Sequence, residues 1–292
     1  MAEGWLIIAN PVSGGGRAKR VGEQVLSFLQ TRGLSAELAF TTAPGDGERL
    51  VRSALDRGVR QIAVCGGDGS IHEAINGLAG SNGVLGIVPC GRGNDFARAL
   101  GIPKKIKAAV EVLVNGQNRQ IDLGRIGHRY FGTVACLGFD AEVSRATRKG
   151  SARLGATVSY VSALLKELVR YQCPAVRLEG DFGIFEGDIF LTAMGNTPFY
   201  GSGIQIAPGA KIDDGLLTVC LVKSVSRQNV LLLLPKVYSG GHIDHPAVQM
   251  LQTRSLIITA KDDLWLFADG EPIGQTPATV EIVPNVLTVR VL

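Results

Sequence analysis

Three times in the first hundred residues a short apolar run breaks into a glycine-rich turn and then into a stretch of helical spacing. Residues 5–9 lead into Asn10-Pro11-Val12-Ser13-Gly14-Gly15-Gly16, after which Val21, Val25, Phe28 and Leu29 share one helical face. Residues 62–65 lead into Gly66-Gly67-Asp68-Gly69-Ser70, followed by Ile71, Ala74, Ile75 and Leu78. Residues 84–88 lead into Pro89-Cys90-Gly91-Arg92-Gly93-Asn94 and then Asp95-Phe96-Ala97. Alternation of strand and helix periods predicts a parallel sheet covered by helices. In such sheets the loops at the carboxyl ends of the strands form the ligand crevice, and all three glycine turns fall at that end.

From about residue 120 the pattern changes to short alternating runs, at residues 131–136, 188–194, 216–222, 255–259, 264–268, 279–283 and 287–292. They predict an antiparallel β-sandwich interrupted by one helix, on which Leu154, Val158, Val161, Leu165 and Leu168 form one apolar stripe, read as core-facing, with a lipid-facing role as the alternative. The division is an α/β domain over residues 1–122 and a β-sandwich domain over residues 123–292.

Composition removes several classes. Glycine supplies 38 of 292 residues without a three-residue period, which excludes collagen and assigns the glycines to turns and close approaches. An apolar fraction of 46% with 19% charged residues excludes a disordered chain. The net charge of +4 is too small to announce a nucleic-acid protein, and the basic clusters at Lys104, Lys105 and Lys107 and at Arg145, Arg148, Lys149 and Arg153 read as solvated faces, with contact to anionic lipid headgroups or phosphates as the alternative. The five cysteines are widely spaced and read as reduced core thiols, which points to the cytoplasm. His242 and His245 read as loop residues without a metal role. No signal peptide and no membrane-spanning run is expected, so any work on a membrane is done from its surface.

A strand ending in Gly-Gly-Asp-Gly before a helix is a phosphate-binding design: bare backbone N–H groups approach the anion and the helix dipole assists. The Walker A pattern and GxGxxG are both absent, which argues against a P-loop ATPase and an ordinary dinucleotide oxidoreductase. Asp68, between glycines beside such a backbone, calls for a cation or a partner donor nearby, and Mg²⁺ carried by a nucleotide would supply the cation. Asp95 reads as a helix N-cap.

The run Gly66-Gly67-Asp68-Gly69-Ser70-Ile71-His72-Glu73 resembles the signature of the diacylglycerol kinase catalytic-domain family, soluble lipid kinases that include sphingosine kinases. It is more distantly similar to that of NAD kinases. Asn10-Pro11-Val12-Ser13-Gly14 resembles the family's first nucleotide loop, Gly91-Arg92-Gly93-Asn94-Asp95-Phe96-Ala97 its GTGNDFA element and Gly138-Phe139-Asp140-Ala141 its GFDA element. The stretch from Tyr200 through Asp213-Asp214-Gly215-Leu216 and the late Asp269-Gly270-Glu271 complete the series.

The resemblance implies a Rossmann-like first domain that binds ATP with Mg²⁺ at the sheet edge, and an active site between the domains. The nucleotide set it implies is Asn10, Pro11, Ser13, Gly14, Thr41, Gly66, Gly67, Asp68, Gly69, Ser70, Ile71, His72, Glu73, Arg92, Gly93 and Asn94. Arg92 stands where the family has Thr, and its guanidinium could pair with a phosphate oxygen. Catalysis falls to Glu271, Asp269 and Asp68, with Glu271 favoured over Asp269 as the base that takes the acceptor's proton. If the segment stays extended, Asp269 and Glu271 share one face. Asp214, with the carbonyls of Lys211 and Leu216, resembles a structural Mg²⁺ site. The expected activity is phosphoryl transfer from ATP to a hydroxyl of diacylglycerol or a related lipid. The alternatives are an NAD kinase-like phosphotransferase and a nucleotide- or lipid-sensing module without turnover. Expected partners are the lipid at a membrane surface, by peripheral association, and optionally a second copy as a homodimer; nucleic acid is not among them.

Overall fold

The structure is a computed structural model that describes residues 4–149 and 156–292; the side chains of residues 148–149 and 156–161 also lie outside it. Arg148, Lys149, Arg153, Leu154, Val158 and Val161 of the predicted cluster and stripe therefore fall outside the described side chains.

The first half alternates strand and helix: β1 (Trp5–Ala9), α1 (Arg17–Thr31), β2 (Ala36–Phe40), α2 (Asp46–Asp56), β3 (Gln61–Gly66), α3 (Asp68–Leu78), β4 (Val84–Pro89), α4 (Asp95–Ala99) and α5 (Ile106–Asn115). The four strands are parallel in the order β4-β3-β1-β2. Every residue of β1, β3 and β4 is buried, because helices cover both faces of a parallel sheet. The chain turns one way from β1 to β2 and the other way to β3, so a crevice opens beyond their carboxyl ends.

The second half runs β5 (Gln117–Ile126), β6 (Arg129–Phe131), β7 (Val134–Gly138), α6 (Phe139–Lys149), α7 (Ala156–Arg170), β8 (Ala175–Gly180), β9 (Gly183–Gly195), β10 (Leu217–Lys223), α8 (Arg227–Leu233), β11 (Val248–Thr253), β12 (Ser255–Ala260), β13 (Trp265–Ala268), β14 (Glu271–Gln275) and β15 (Ala278–Val291). These strands pair antiparallel, apart from the parallel pairing of β15 with β4. The long β9 pairs with β8 at its start and with β7 and β10 at its end, so it belongs to both layers of the sandwich. Leu178, Ile189, Val219, Leu256, Leu266 and Val280 are among the buried residues between the layers.

β15 is one bent strand where two were expected: its register shifts between Val283 and Leu287, and Asn285 takes φ 52. Its far end returns to the first sheet, with Thr288 beside Val84 and Val289 beside Leu85. Leu287, Val289 and Val291 then bury into the first core, as their alternation predicts.

Two helical expectations change. Two further helices, α6 and α8, join the expected stripe helix; α6 is rich in charged residues, and of its described side chains only Phe139, Ala141 and Val143 bury, which hides its periodicity. On α7, Leu168 is buried but Leu165 is 46% exposed, so the stripe does not all face the core. Among the described residues no helix is long and apolar enough to cross a membrane.

Candidate active site

The glycine turns meet one another. Gly14 has φ +62, and a Cβ there would stand 2.2 Å from the carbonyl oxygen of Cys90. A Cβ on Gly91 would stand 2.6 Å from the Cα of Gly67. The first turn therefore packs on the third, and the third on the second, at a spacing only glycine allows. Asp68 fixes this arrangement. Its Oδ2 accepts from Asn94 N at 2.8 Å and its Oδ1 from Asp95 N at 2.8 Å. Asn94 closes the third turn, accepting from Gly91 N at 2.9 Å and donating to Gly91 O at 2.8 Å.

The turns border a cleft of about 830 Å³ lined by Asn10, Pro11, Ser13, Thr41, Gly67, Gly69, Ser70, His72, Glu73, Arg129, Glu271 and neighbours. Most of the sequence-implied nucleotide set is therefore in one place. Gly14, Gly66, Ile71, Gly93 and Asn94 do not line this cleft; they support its walls. Ile71 is a core residue, and Arg92 is exposed outside the cleft. Glu73 holds the loop after β2 and the first turn of α2: its two carboxylate oxygens accept from Gly45 N at 2.8 Å and Gly47 N at 2.7 Å. Arg129 was not singled out in the sequence; it reaches the cleft from β6 and pairs with Glu48 at 2.6 Å.

A second, polar pocket of about 290 Å³ adjoins it, lined by Asp68, Asp95, Thr133, Asp140, Tyr200, Ser202, Asp269 and Gly270 among others. Burial pushes the carboxyls of Asp68 and Asp95 above the usual range; for Asp68 the neighbouring Asp95 charge adds to this, against the N–H groups it accepts. Asp95 is not the N-cap. That position is Asn94, at φ 52 and without a side-chain cap bond, while Asp95 accepts from Ser202 N at 2.7 Å and pairs with Arg98.

The Asp269-Gly270 turn joins β13 to β14 with φ 52 and φ 82, the two positive values of a type I′ hairpin. The segment is thus not extended, and the expected shared face is replaced by a division: Gly270 and Asp269 line the polar pocket and Glu271 the glycine-turn cleft. Asp269 accepts from His72 Nδ1 at 3.0 Å, Gly132 N at 2.8 Å, Thr133 N at 2.8 Å and Thr133 Oγ1 at 2.6 Å. Burial pushes its carboxyl up, but His72, Thr133 and Gly132 outweigh that and hold it below the ordinary carboxylate range. So satisfied an anion is a poor proton acceptor and a good clamp between α3 and the β-sandwich.

A third cavity, of about 430 Å³, is apolar and lies within the second half, between α6, α7, α8 and the sandwich. It meets the polar pocket at Asp140 and Tyr200. His242 lines it, buried in a short 3₁₀ turn with Nε2 3.7 Å from Cys220 Sγ, a neighbour the sequence spacing concealed.

Asp214 lies apart from these cavities, on an exposed turn where Oδ1 accepts from Leu216 N at 3.0 Å. Buried Asp122 locks that turn: it accepts from Gly215 N and from Asn285 N, each at 2.8 Å. All five cysteines are free, four of them buried.

Comparison with known proteins agrees along the whole chain. Residues 4–126 match the diacylglycerol kinase catalytic domain, and residues 133–291 match the YegS C-terminal NAD kinase beta sandwich-like domain. A diacylglycerol kinase of Mycobacterium tuberculosis is 35% identical over 290 residues, covering 97% of this chain and 93% of that protein. One of Staphylococcus carnosus is 31% identical over 274 residues, covering 93% and 90%. A solved Bacillus anthracis chain, described as a diacylglycerol kinase, shares the fold with a TM-score of 0.75 at 21% identity, covering 99% of this chain and 97% of that one. The chain belongs to the diacylglycerol kinase family and is a kinase that phosphorylates an alcohol acceptor.

Proposed function

We propose that this kinase takes its phosphoryl group from ATP and delivers it to the hydroxyl of diacylglycerol or a related lipid at a membrane surface. The observation that carries this reading is the succession of cavities: a polar cleft against glycine turns, a carboxylate-lined pocket, then an apolar cavity. A triphosphate suits the first, where backbone N–H groups and the α3 N-terminus favour anions. A hydrocarbon chain suits the third, where each buried CH₂ contributes about 0.8 kcal/mol. NAD has no part that needs such a cavity.

In this reading Glu271 takes the proton of the acceptor hydroxyl as its oxygen attacks the γ-phosphorus and ADP leaves. Asp68 keeps two glycine turns in place, and Asp269 keeps the two halves of the chain in register. Among the described residues no three His, Cys, Asp or Glu side chains cluster to hold a metal by themselves. The like-charged pair Asp68 and Asp95 nonetheless suits a cation that arrives with the triphosphate. Mg²⁺ there would neutralise phosphate charge. The Asp214 turn, with the carbonyls of Lys211 and Leu216, offers the oxygen donors a structural Mg²⁺ takes.

Access from a membrane is supported by the surface around the apolar cavity. Leu165, Val169, Leu231, Leu232 and Tyr238 are exposed there, among exposed Lys166, Arg170, Arg227 and Lys236. Exposed apolar residues rimmed by cations suit an anionic leaflet.

The test is ADP release with Mg²⁺ and ATP, with and without diacylglycerol in detergent micelles. Release that requires the lipid and yields phosphatidate is expected. Release that requires NAD, or none with any lipid despite ATP binding, overturns the proposal.

A further inference from the structure

Asp140 and Tyr200 are the two residues shared by the polar pocket and the apolar cavity. Asp140 stands in the first turn of α6, and the Tyr200 hydroxyl donates to its Oδ2. Among the described residues this is the one hydrogen bond its carboxylate receives. The other carboxylates of the pocket are treated differently: Asp68, Asp95 and Asp269 each accept backbone N–H groups. Asp140 also keeps surface open toward the cavities.

An ionised carboxylate has about four acceptor positions. In apolar surroundings, leaving them unmet is unfavourable. On the cavity side its neighbours include Phe139, Leu191 and Ile204, whose side chains donate nothing. A donor is therefore wanted from whatever occupies the site. Diacylglycerol has a single hydroxyl, which the reaction consumes, and its ester carbonyls only accept. A lipid with a second hydroxyl beside the reacting one could satisfy both demands.

We infer that Asp140, held by Tyr200, receives a hydrogen bond from a second hydroxyl of the acceptor lipid, adjacent to the hydroxyl that is phosphorylated. The site then prefers acceptors such as monoacylglycerols over those with one hydroxyl. This rests on the lipid-kinase reading and narrows its acceptor.

The test compares 1-octanoylglycerol with 3-octanoyloxypropan-1-ol, which has the same chain and terminal hydroxyl but lacks the middle one. Binding of each to the full chain is measured by calorimetry without nucleotide, so the readout does not depend on turnover. The wild type should bind the first at least about tenfold more tightly, the low end for a hydrogen bond to a charged group. In Asp140→Asn that ratio should fall to within about twofold, while binding of the second lipid stays near its wild-type value. Tyr200→Phe should reduce the ratio in part and provides a second variant should the first not fold. A wild-type ratio near one overturns the inference, and so does a tenfold ratio that survives Asp140→Asn. No phosphate transfer to diacylglycerol or to either of these lipids, with the ratio intact, overturns the lipid-kinase proposal and leaves the hydroxyl contact standing.

Discussion

At the scale of single residues, Asp269 and Glu271 illustrate how position overrides chemical likeness. Glu271→Gln keeps the shape and removes the carboxylate proposed as the base, so kcat should fall by about 10²–10⁴. Calorimetry should find ATP affinity changed by less than threefold. Asp269→Asn instead weakens a buried clamp, which costs about 3 kcal/mol or more when one partner of such a pair is lost. A fall in melting temperature of roughly 6 °C is expected in differential scanning calorimetry. Its pKa is depressed by folding, so its contribution is fully present above the ordinary carboxylate pKa and fades as acid protonates it. Asp140 has the opposite sign. Burial pushes its carboxyl up to about 6, against the hydrogen bond from Tyr200. The native state then holds the extra proton between about pH 4 and pH 6, and stability from this group falls as pH rises through that window. Asp140→Asn removes the buried charge. Its melting temperature relative to wild type should therefore be higher at pH 7.5 than at pH 4.5; no pH dependence of that difference would refute the assignment.

At the scale of elements, the cleft is made of loops that hold one another. Glu73 ties the loop after β2 to α3 through Gly45 N and Gly47 N. Glu73→Gln should leave the melting temperature nearly unchanged, raise the KM for ATP severalfold, and speed hydrogen exchange at residues 42–47. β1, β3 and β4 were legible because buried parallel strands read as unbroken apolar runs that end in glycine-rich turns, whereas β2, half-buried and interrupted by Glu37, was not singled out. The convergence of the turns was legible because the parallel topology places all three at one edge. What stayed hidden has a common cause. The His72–Asp269 pair spans 197 positions, and neither residue carries a local mark of its partner. Likewise α6 buries Phe139, Ala141 and Val143 in a charged sequence, and Asp95 resembles a cap until its acceptor role toward Ser202 is seen.

At the scale of the whole molecule, the division at residues 122 and 123 proposed from the change of pattern is crossed in both directions. Asp122 accepts from Gly215 and Asn285, and the end of β15 lies beside β4. Removing residues 287–292 would strip Leu287, Val289 and Val291 from the first core, at about 1.5–3 kcal/mol each. That sum rivals the net stability of about 5–15 kcal/mol of an ordinary domain, so the truncated chain should be insoluble or unfolded by circular dichroism.

The place of β15 also bears on synthesis. Domains commonly fold one after another as they leave the ribosome. Here the strand that flanks β4 follows every other strand in chain order, so the amino-terminal half must wait, with one side of β4 unfilled, until β15 has emerged. A nascent chain stalled at residue 126 should accordingly remain sensitive to protease and engage chaperones, whereas the freed polypeptide should not.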